Sequence, residues 1–177
     1  WQYREDAFCK ITHYETLARD ADLIITIGGA SVGDHDLIAP VAADMGMAQS
    51  FYKVAMRPGK PLMAGRLRGT PMIGLPGNPV SAMVCGTIFV QPMLRAMMGL
   101  GQAPAPRAQV PLAAAISANG PREHYMRAIV SEGQVTDAGA QDSSLLSVLS
   151  QSNALMVRPP NDPACAAGTM VEIIDIY

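Results

Sequence analysis

Between Asp44 and Glu123 the sequence contains no acidic residue. The same interval carries Lys53, Arg57, Lys60, Arg66, Arg68, Arg95, Arg107 and Arg122. In a chain whose net charge is only −2, a one-signed stretch of this length needs an anion, either a ligand or acids from elsewhere in the fold. Aromatics are scarce, 5% of the residues, and do not interleave with the basic positions. That argues against nucleic acid, which is held by stacking platforms beside cations. Cys9, Cys85 and Cys165 are odd in number and form no C-x-x-C pair, so neither a disulfide framework nor a zinc ribbon is indicated. A reducing, cytoplasmic setting is expected, with Cys85 a buried thiol in an apolar helix. No uninterrupted apolar run approaches a membrane span. No G-x-S-x-G elbow supports a Ser/His/Asp triad. His13, His35 and His124 are not at metal-ligand spacings and read as structural or surface residues, His35 excepted because it lies in a glycine-rich turn. An initiator Met and a basic-then-apolar leader are also missing. The chain opens W-Q-Y-R-E-D-A-F and is expected to be a piece of a longer protein.

What is present is a folded-protein composition, 49% hydrophobic and 16% charged. Residues 5–20 place Ala7, Phe8, Ile11, Tyr14, Leu17 and Ala18 at helical spacing. Leu23–Ile27 is apolar at nearly every position, as a parallel strand buried on both faces would be. Gly28, Gly29 and Gly33 follow. Leu37, Ile38, Val41, Ala42 and Met45 then predict a helix capped by Asp34 or Asp36 and stopped at Gly46. Ser50–Met56, Leu62–Ala64 and Met72–Leu75 read as strands, and a long helix runs from Leu75-Pro-Gly-Asn-Pro-Val-Ser81 to about Met98, kinked or divided at Pro92. Alternating strands and helices predict an α/β domain with a mainly parallel sheet flanked by helices. Gly99–Pro106 is a linker by composition. Beyond it Gln109–Ile116, His124–Ser131, Ala154–Arg158 and Met170–Ile176 are strand-like, with a turn or two of helix at Ser144–Leu149. These predict a small all-β, barrel-like domain. The division is thus 1–100 and 107–177.

Three constellations carry chemistry. In Gly28-Gly29-Ala-Ser31-Val-Gly33-Asp34-His-Asp36, the glycines open the backbone to an anion, Ser31 offers a hydroxyl, and the carboxylates of Asp34 and Asp36 suit Mg²⁺ or helix capping. In Lys53-Val-Ala-Met-Arg57-Pro-Gly-Lys60-Pro61, a strand would put Lys53 and Arg57 on one side, and the turn would return Lys60 towards them. Such a trio suits a phosphate or another oxyanion, or else a solvated strand end. In Leu75-Pro76-Gly77-Asn78-Pro79-Val80-Ser81, two prolines stiffen a loop that opens a helix, an anion-ready N-terminus or a capped structural turn.

Together these motifs resemble the MoeA family of molybdopterin molybdenumtransferases, whose relatives include the gephyrin E domain. Family members read S-G-G-V-S-V-G-x-x-D, K-x-x-[KR]-P-G-K-P and G-L-P-G-N-P-V-S. This chain reads T-I-G-G-A-S-V-G-D-H-D, K-V-A-M-R-P-G-K-P and G-L-P-G-N-P-V-S, in the same order. The resemblance implies a MogA-like α/β domain, lacking its opening strand, followed by the C-terminal β-barrel domain. The activity it implies is insertion of molybdate into adenylylated molybdopterin with release of AMP and with Mg²⁺ as the divalent ion. By motif, Gly28, Gly29, Ser31 and Gly33 would line the nucleotide phosphate, and Asp34 and Asp36 would assist the metal. Lys53, Arg57 and Lys60, with Pro61, would hold pyrophosphate or molybdate. Asp36, Lys53 and Lys60 would be catalytic. Pro76, Gly77, Asn78, Pro79 and Ser81 would form a facing wall. P-R-E-H-Y-M-R resembles R-x-E-[FY]-x-R and makes Arg122 a candidate molybdate-binding residue, with Arg127 behind it. Q-D-S-S-L-L-S is similar to Q-G-S-H-x-x-S, with Asp142 and Ser144 in place of Gly and His. A homodimer in the full-length protein is implied, with no nucleic-acid or membrane partner. The chain alone is expected to be inactive, since the family's two N-terminal domains are absent from it. The alternatives are a MogA-type adenylyltransferase, disfavoured by the β module, and a non-catalytic, gephyrin-like scaffold, disfavoured by the intact motifs.

Overall fold

The computed structural model describes residues 14, 16, 18–29, 38–139, 141–142 and 146–176. The chain forms two compact units, one from the residues up to Val54 with Gly59–Gly77, the other from Ala55–Pro58 with Asn78–Tyr177.

The first unit holds a four-stranded sheet in the order β1-β5-β4-β2. Its strands are β1 (Ile24–Ile27), β2 (Ala48–Tyr52), β4 (Met63–Leu67) and β5 (Thr70–Leu75). Only β1–β5 is parallel, in register Ile24↔Met72 to Ile27↔Leu75. The β4–β5 and β2–β4 pairs are antiparallel. The α/β class holds, but the sheet is mixed rather than mainly parallel. The reason is local: Arg68 and Gly69 both take positive φ, 52° and 94°, the geometry of a two-residue hairpin, so β4 and β5 fold back on each other. The apolar run of β1 is also not buried on both faces. Ile24 and Thr26 point inward, while Ile25 and Ile27 are 43% and 69% exposed. Helix α1 (Ile38–Asp44) ends as expected at Gly46, with Gly46 N–H donating to Ala43 O and Met47 N–H to Ala42 O, both at 2.9 Å. Its Ile38, Val41 and Ala42 pack with Tyr14, Ala18, Ile24, Met63, Leu67 and Met72 into one core. Residues 14, 16 and 18–20 are helical, in line with the apolar spacing there.

The second unit holds a six-stranded sheet. Its strands are β3 (Met56–Arg57), β6 (Ala108–Pro111), β7 (Glu123–Ser131), β8 (Gln134–Asp137), β9 (Ala154–Arg158) and β10 (Met170–Asp175). The order is β3-β7-β9-β10-β6, with β8 beside β7. The sheet curls until Leu112, just beyond β6, bridges Val135 of β8, so it is barrel-like without closing. Leu112, Met126, Ala128, Val135, Ala154, Met156, Val171 and Ile173 fill its core. Two features were not expected. Strand β8 follows a Glu132-Gly133 turn with φ of 50° and 74°, again a two-residue hairpin. Strand β3 is a two-residue piece paired in parallel with β7.

The long helix also belongs to this unit. It runs as α2 (Pro79–Cys85), a π-helical segment (Gly86–Val90) and α3 (Gln91–Met97), followed later by the short α4 (Leu146–Gln151). Pro92 has no N–H for the helix ladder, and the expected irregularity takes the form of a widened turn before it, where Gln91 N–H donates to Gly86 O. By length and composition Pro79–Met97 is apolar enough to cross a membrane, which the sequence reading had not expected. Val80, Ser81, Val84 and Cys85 are nonetheless buried in the fold. Burial pushes the Cys85 thiol up to about 12, an inert core thiol.

Candidate functional site

At the carboxyl ends of the parallel strands β1 and β5 two loops meet backbone to backbone. Gly28 N–H donates to Leu75 O at 2.9 Å. A methyl group on Gly77 would lie 3.2 Å from Gly28 Cα, and Gly28 itself has φ of 83°. A side chain at either position would therefore push the loops apart or strain the turn. A Cβ on Gly29 would meet Ile38 at 2.8 Å. The crevice beyond the carboxyl ends of adjacent parallel strands is where open α/β sheets take ligands. Pro76 is buried, while Gly77 and Pro79 are exposed. Asn78 caps α2, its Oδ1 accepting from Ser81 N–H at 3.0 Å, and Pro79 sits at the first helical position. The cap reading of this loop is thus realised. Ser31, Gly33, Asp34 and Asp36 lie outside the described residues, as do His13, His35, Ser143 and Ser144.

The K-V-A-M-R-P-G-K-P segment does not form the strand that was expected. Strand β2 stops at Tyr52 because Lys53 turns to φ of 67°. Lys53 Nζ lies 4.8 Å from the Tyr52 ring centroid, a cation–π distance. Lys53 and Lys60 belong to the first unit, and Arg57 belongs to the second through β3. Alternation along one strand therefore does not bring Lys53 and Arg57 together. The turn is pinned by Lys60 O, which accepts from Val54 N–H at 3.1 Å and Leu62 N–H at 3.0 Å. Pro61, next to it, is half-buried.

In the second unit Arg57 lines a polar cavity of about 330 Å³ with Asn119, His124, Asp137, Gln141 and Arg158. Arg158 is 1% exposed, and Nε, Nη1 and Nη2 each donate to the wall. Nε bonds Asp162 Oδ2, Nη1 bonds Ser117 O at 3.2 Å, and Nη2 bonds Pro163 O at 2.8 Å. Asn119 Nδ2 ties the same loop to the carbonyls of Arg122, Arg158 and Pro159 at 2.9, 3.1 and 2.7 Å. Gln141 braces the opposite side, donating to Arg127 O at 3.0 Å and Asp137 Oδ1 at 2.8 Å. Arg57 and Arg122 are exposed and carry no ion pair among the described residues, and the same holds for Lys53 and Lys60. Arg107 differs: Glu172 at 2.6 Å and Glu123 at 3.6 Å neutralise it, so acids from elsewhere do cover part of the basic interval.

Sequence reasoning read His124 as a structural or surface residue and missed its place on the cavity wall. It is 4% exposed, and burial, followed by Arg57, Arg127, Arg158 and Arg122, pushes it down to about 4. A buried neutral histidine costs stability in acid, because the unfolded chain takes up a proton near 6.5 and the folded chain does not until about 4. Stability should therefore be flat above pH 6.5 and fall between pH 6.5 and 4. Thermal melts across that window check it, and His124→Gln should flatten the decline.

The comparisons with known proteins decide the relationship. Residues 6–96 match the family described as "Probable molybdopterin binding domain", and residues 109–176 match "MoeA C-terminal region (domain IV)". The chain belongs to the MoeA family. It is 38% identical over 168 residues to "Molybdopterin molybdenumtransferase 2" of Mycobacterium tuberculosis (strain ATCC 25618 / H37Rv), covering 90% of this chain and 41% of that protein. It is 34% identical to "Molybdopterin molybdenumtransferase" of Haemophilus influenzae, covering 86% and 39%, and 32% identical to "Gephyrin" of Dictyostelium discoideum, covering 89% and 26%. The crystal structure of the molybdopterin biosynthesis MoeA protein from Pyrococcus horikosii superposes with a TM-score of 0.77 at 21% identity, covering 94% of this chain and 40% of that one. This MoeA-family chain thus spans about two fifths of the length of the molybdenumtransferases it matches. Family membership explains why the Gly28-Gly29 turn, the Arg57–Lys60 segment and the Leu75–Ser81 loop occur together.

Proposed function

We propose that this chain is the part of a molybdopterin molybdenumtransferase that handles the nucleotide and the oxyanion, in an enzyme that inserts molybdate into adenylylated molybdopterin and releases AMP. The observation that carries the reading is the polar cavity of about 330 Å³ formed by the β unit, with Arg57 on its wall carrying no ion pair among the described residues. An adenylyltransferase has no need of such a module, and a scaffold has no need of uncompensated cations. In this reading Gly28, Gly29, Ser31 and Gly33 present backbone and hydroxyl donors to the nucleotide phosphate. Lys53 and Lys60 hold the charge of the phosphoanhydride, Arg57 and Arg122 take molybdate, and Pro61, Pro76, Gly77, Asn78, Pro79 and Ser81 shape the loops that present these groups. An oxygen nucleophile, from water or molybdate, forms a bond to a phosphorus of the phosphoanhydride as the bridging P–O bond breaks and AMP leaves, and the fixed cations favour the charge that accumulates on the oxygens.

Mg²⁺ enters the proposal through Asp34 and Asp36 alone. Among the described residues no cluster of three or more His, Cys, Asp or Glu is placed to hold a metal. Bound at those carboxylates, the ion would neutralise phosphate charge. Residues 1–100 form the molybdopterin- and nucleotide-binding part and 107–177 the C-terminal domain, a division supported by the matched ranges 6–96 and 109–176. A cytoplasmic homodimer without nucleic-acid or membrane partners completes the reading, with this stretch inactive by itself. The test is AMP release from adenylylated molybdopterin by the full-length protein. Release that requires molybdate is expected. Release independent of molybdate, or none, overturns the assignment.

A further inference from the structure

His124 stands in a row of side chains across three strands. It pairs with Arg57 of β3 on one side and with Arg158 of β9 on the other. Directly paired positions on one sheet face have Cβ atoms about 5 Å apart, so the imidazole is flanked by a cation on each side. All three side chains line the same cavity. The neighbouring charges are unevenly engaged. Arg158 donates to Asp162 and to two carbonyls, and Arg127, on β7, donates from Nη2 to Asp142 O at 2.9 Å. Asp137, at the end of β8, accepts from Gln141 Nε2 and from Gly139 N–H. Arg57 and Arg122, in the loop before β7, remain unpaired among the described residues. The His124 imidazole makes no hydrogen bond among the described residues, and it lies buried beside a space large enough for an oxyanion.

We propose that His124 is a proton-accepting partner for an oxyanion held beside Arg57: its imidazole is neutral in the free site and takes up one proton from solvent as the anion enters. The cause is the sign of the surroundings. Without an anion, Arg57, Arg122, Arg127 and Arg158 outweigh Asp137 and Asp162, and a further positive charge at His124 is opposed. A dianion in the cavity cancels that excess, and a protonated imidazole gives it a buried donor beside the exposed guanidinium of Arg57. The proton from solvent forms one N–H bond at a ring nitrogen, and no other covalent bond changes. This deepens the oxyanion reading given above and rests on it. Affinity is then linked to pH: if a proton is gained on binding, binding tightens as pH falls.

The experiment is calorimetric titration of the full-length protein with molybdate, and separately with sulfate, in non-oxyanion buffers of different protonation enthalpy. Up to roughly one proton is expected to be taken up per bound anion, with affinity rising about tenfold from pH 8 to pH 6. His124→Gln keeps a hydrogen-bonding side chain, and its binding should show neither proton uptake nor the rise in affinity, with a melting temperature confirming that it is folded. Binding without buffer-dependent enthalpy overturns the role of His124 and leaves the transferase reading standing. Proton uptake with sulfate or molybdate, without molybdate-dependent AMP release, upholds His124 and overturns the transferase reading. No binding of either anion overturns the inference.

Discussion

Lys60→Ala should lower molybdate-dependent AMP release by the full-length protein about 10²–10³-fold, the range for losing one fixed charge-stabilising group in a site of this kind. The structure makes this a discriminating substitution. The backbone of Lys60 holds the turn, with its carbonyl accepting from both Val54 and Leu62 N–H. Its ammonium group is exposed and has no ion pair among the described residues. Alanine keeps both backbone hydrogen bonds, so the change in stability should stay within about 0.5 kcal/mol, as for other surface positions. A large loss of turnover with an unmoved melting temperature therefore reports the charge and not the fold. Asp36→Asn should show the same loss. Unchanged turnover in both variants removes the site assignment, while a loss explained by a lowered melting temperature would assign Lys60 a structural role.

Arg158→Met should cost about 3–5 kcal/mol of stability, the usual penalty for breaking a buried ion pair by deleting one partner. The methionine fills the volume, but Asp162 loses its cation and the carbonyls of Ser117 and Pro163 lose their donors. Asp162 keeps 23% side-chain exposure and is partly rehydrated, so a value near the lower end is expected, a melting temperature lower by roughly 10 °C. Adding Asp162→Asn should return part of the loss, because the stranded charge is then gone. Denaturant melts of the single and double variants measure this, and a single variant within 1 kcal/mol of wild type would show that the wall does not depend on Arg158. The same loop carries Asn119 and leads into Arg122, so oxyanion affinity should fall with it.

Those two residues also mark how far a sequence can be read. Arg158 ends Ala154–Arg158, a strand legible to the residue because its apolar run stops at Pro159-Pro160. Strand β7 was visible as a β-rich run ending at Glu132-Gly133, and the glycine stop of α1 and the irregularity before Pro92 were visible from Gly46 and Pro92 themselves. Strand β3 was not. Two residues have no periodicity, and Met56–Arg57 is a strand only because β7 lies beside it. Lys53 was placed on a strand because its neighbours are β-formers, and tertiary context turned its backbone instead. The hairpins at Arg68-Gly69 and Glu132-Gly133 left a usable signal, a polar residue followed by glycine between strand-like runs, and reading it would have given both β8 and the mixed sheet. His124 left none. A histidine beginning an apolar strand looks structural, and the feature that separates it, an arginine opposite on each side, exists only once strand register is known.

The small size of β3 hides its consequence for modularity. The chain passes from one folded unit to the other after Val54, returns after Pro58 and leaves again after Gly77, whereas the two family matches divide the sequence between residues 96 and 109. Cutting the polypeptide at that glycine- and proline-rich junction would follow the line of ancestry and miss the line of folding. The C-terminal piece would lose the strand beside His124, Arg57 on its cavity wall, and the long helix Pro79–Met97. The segments Ala55–Pro58 and Pro79–Met97, inherited within the molybdopterin-binding-domain match, are part of the β unit, so neither portion can be exchanged between relatives without the other.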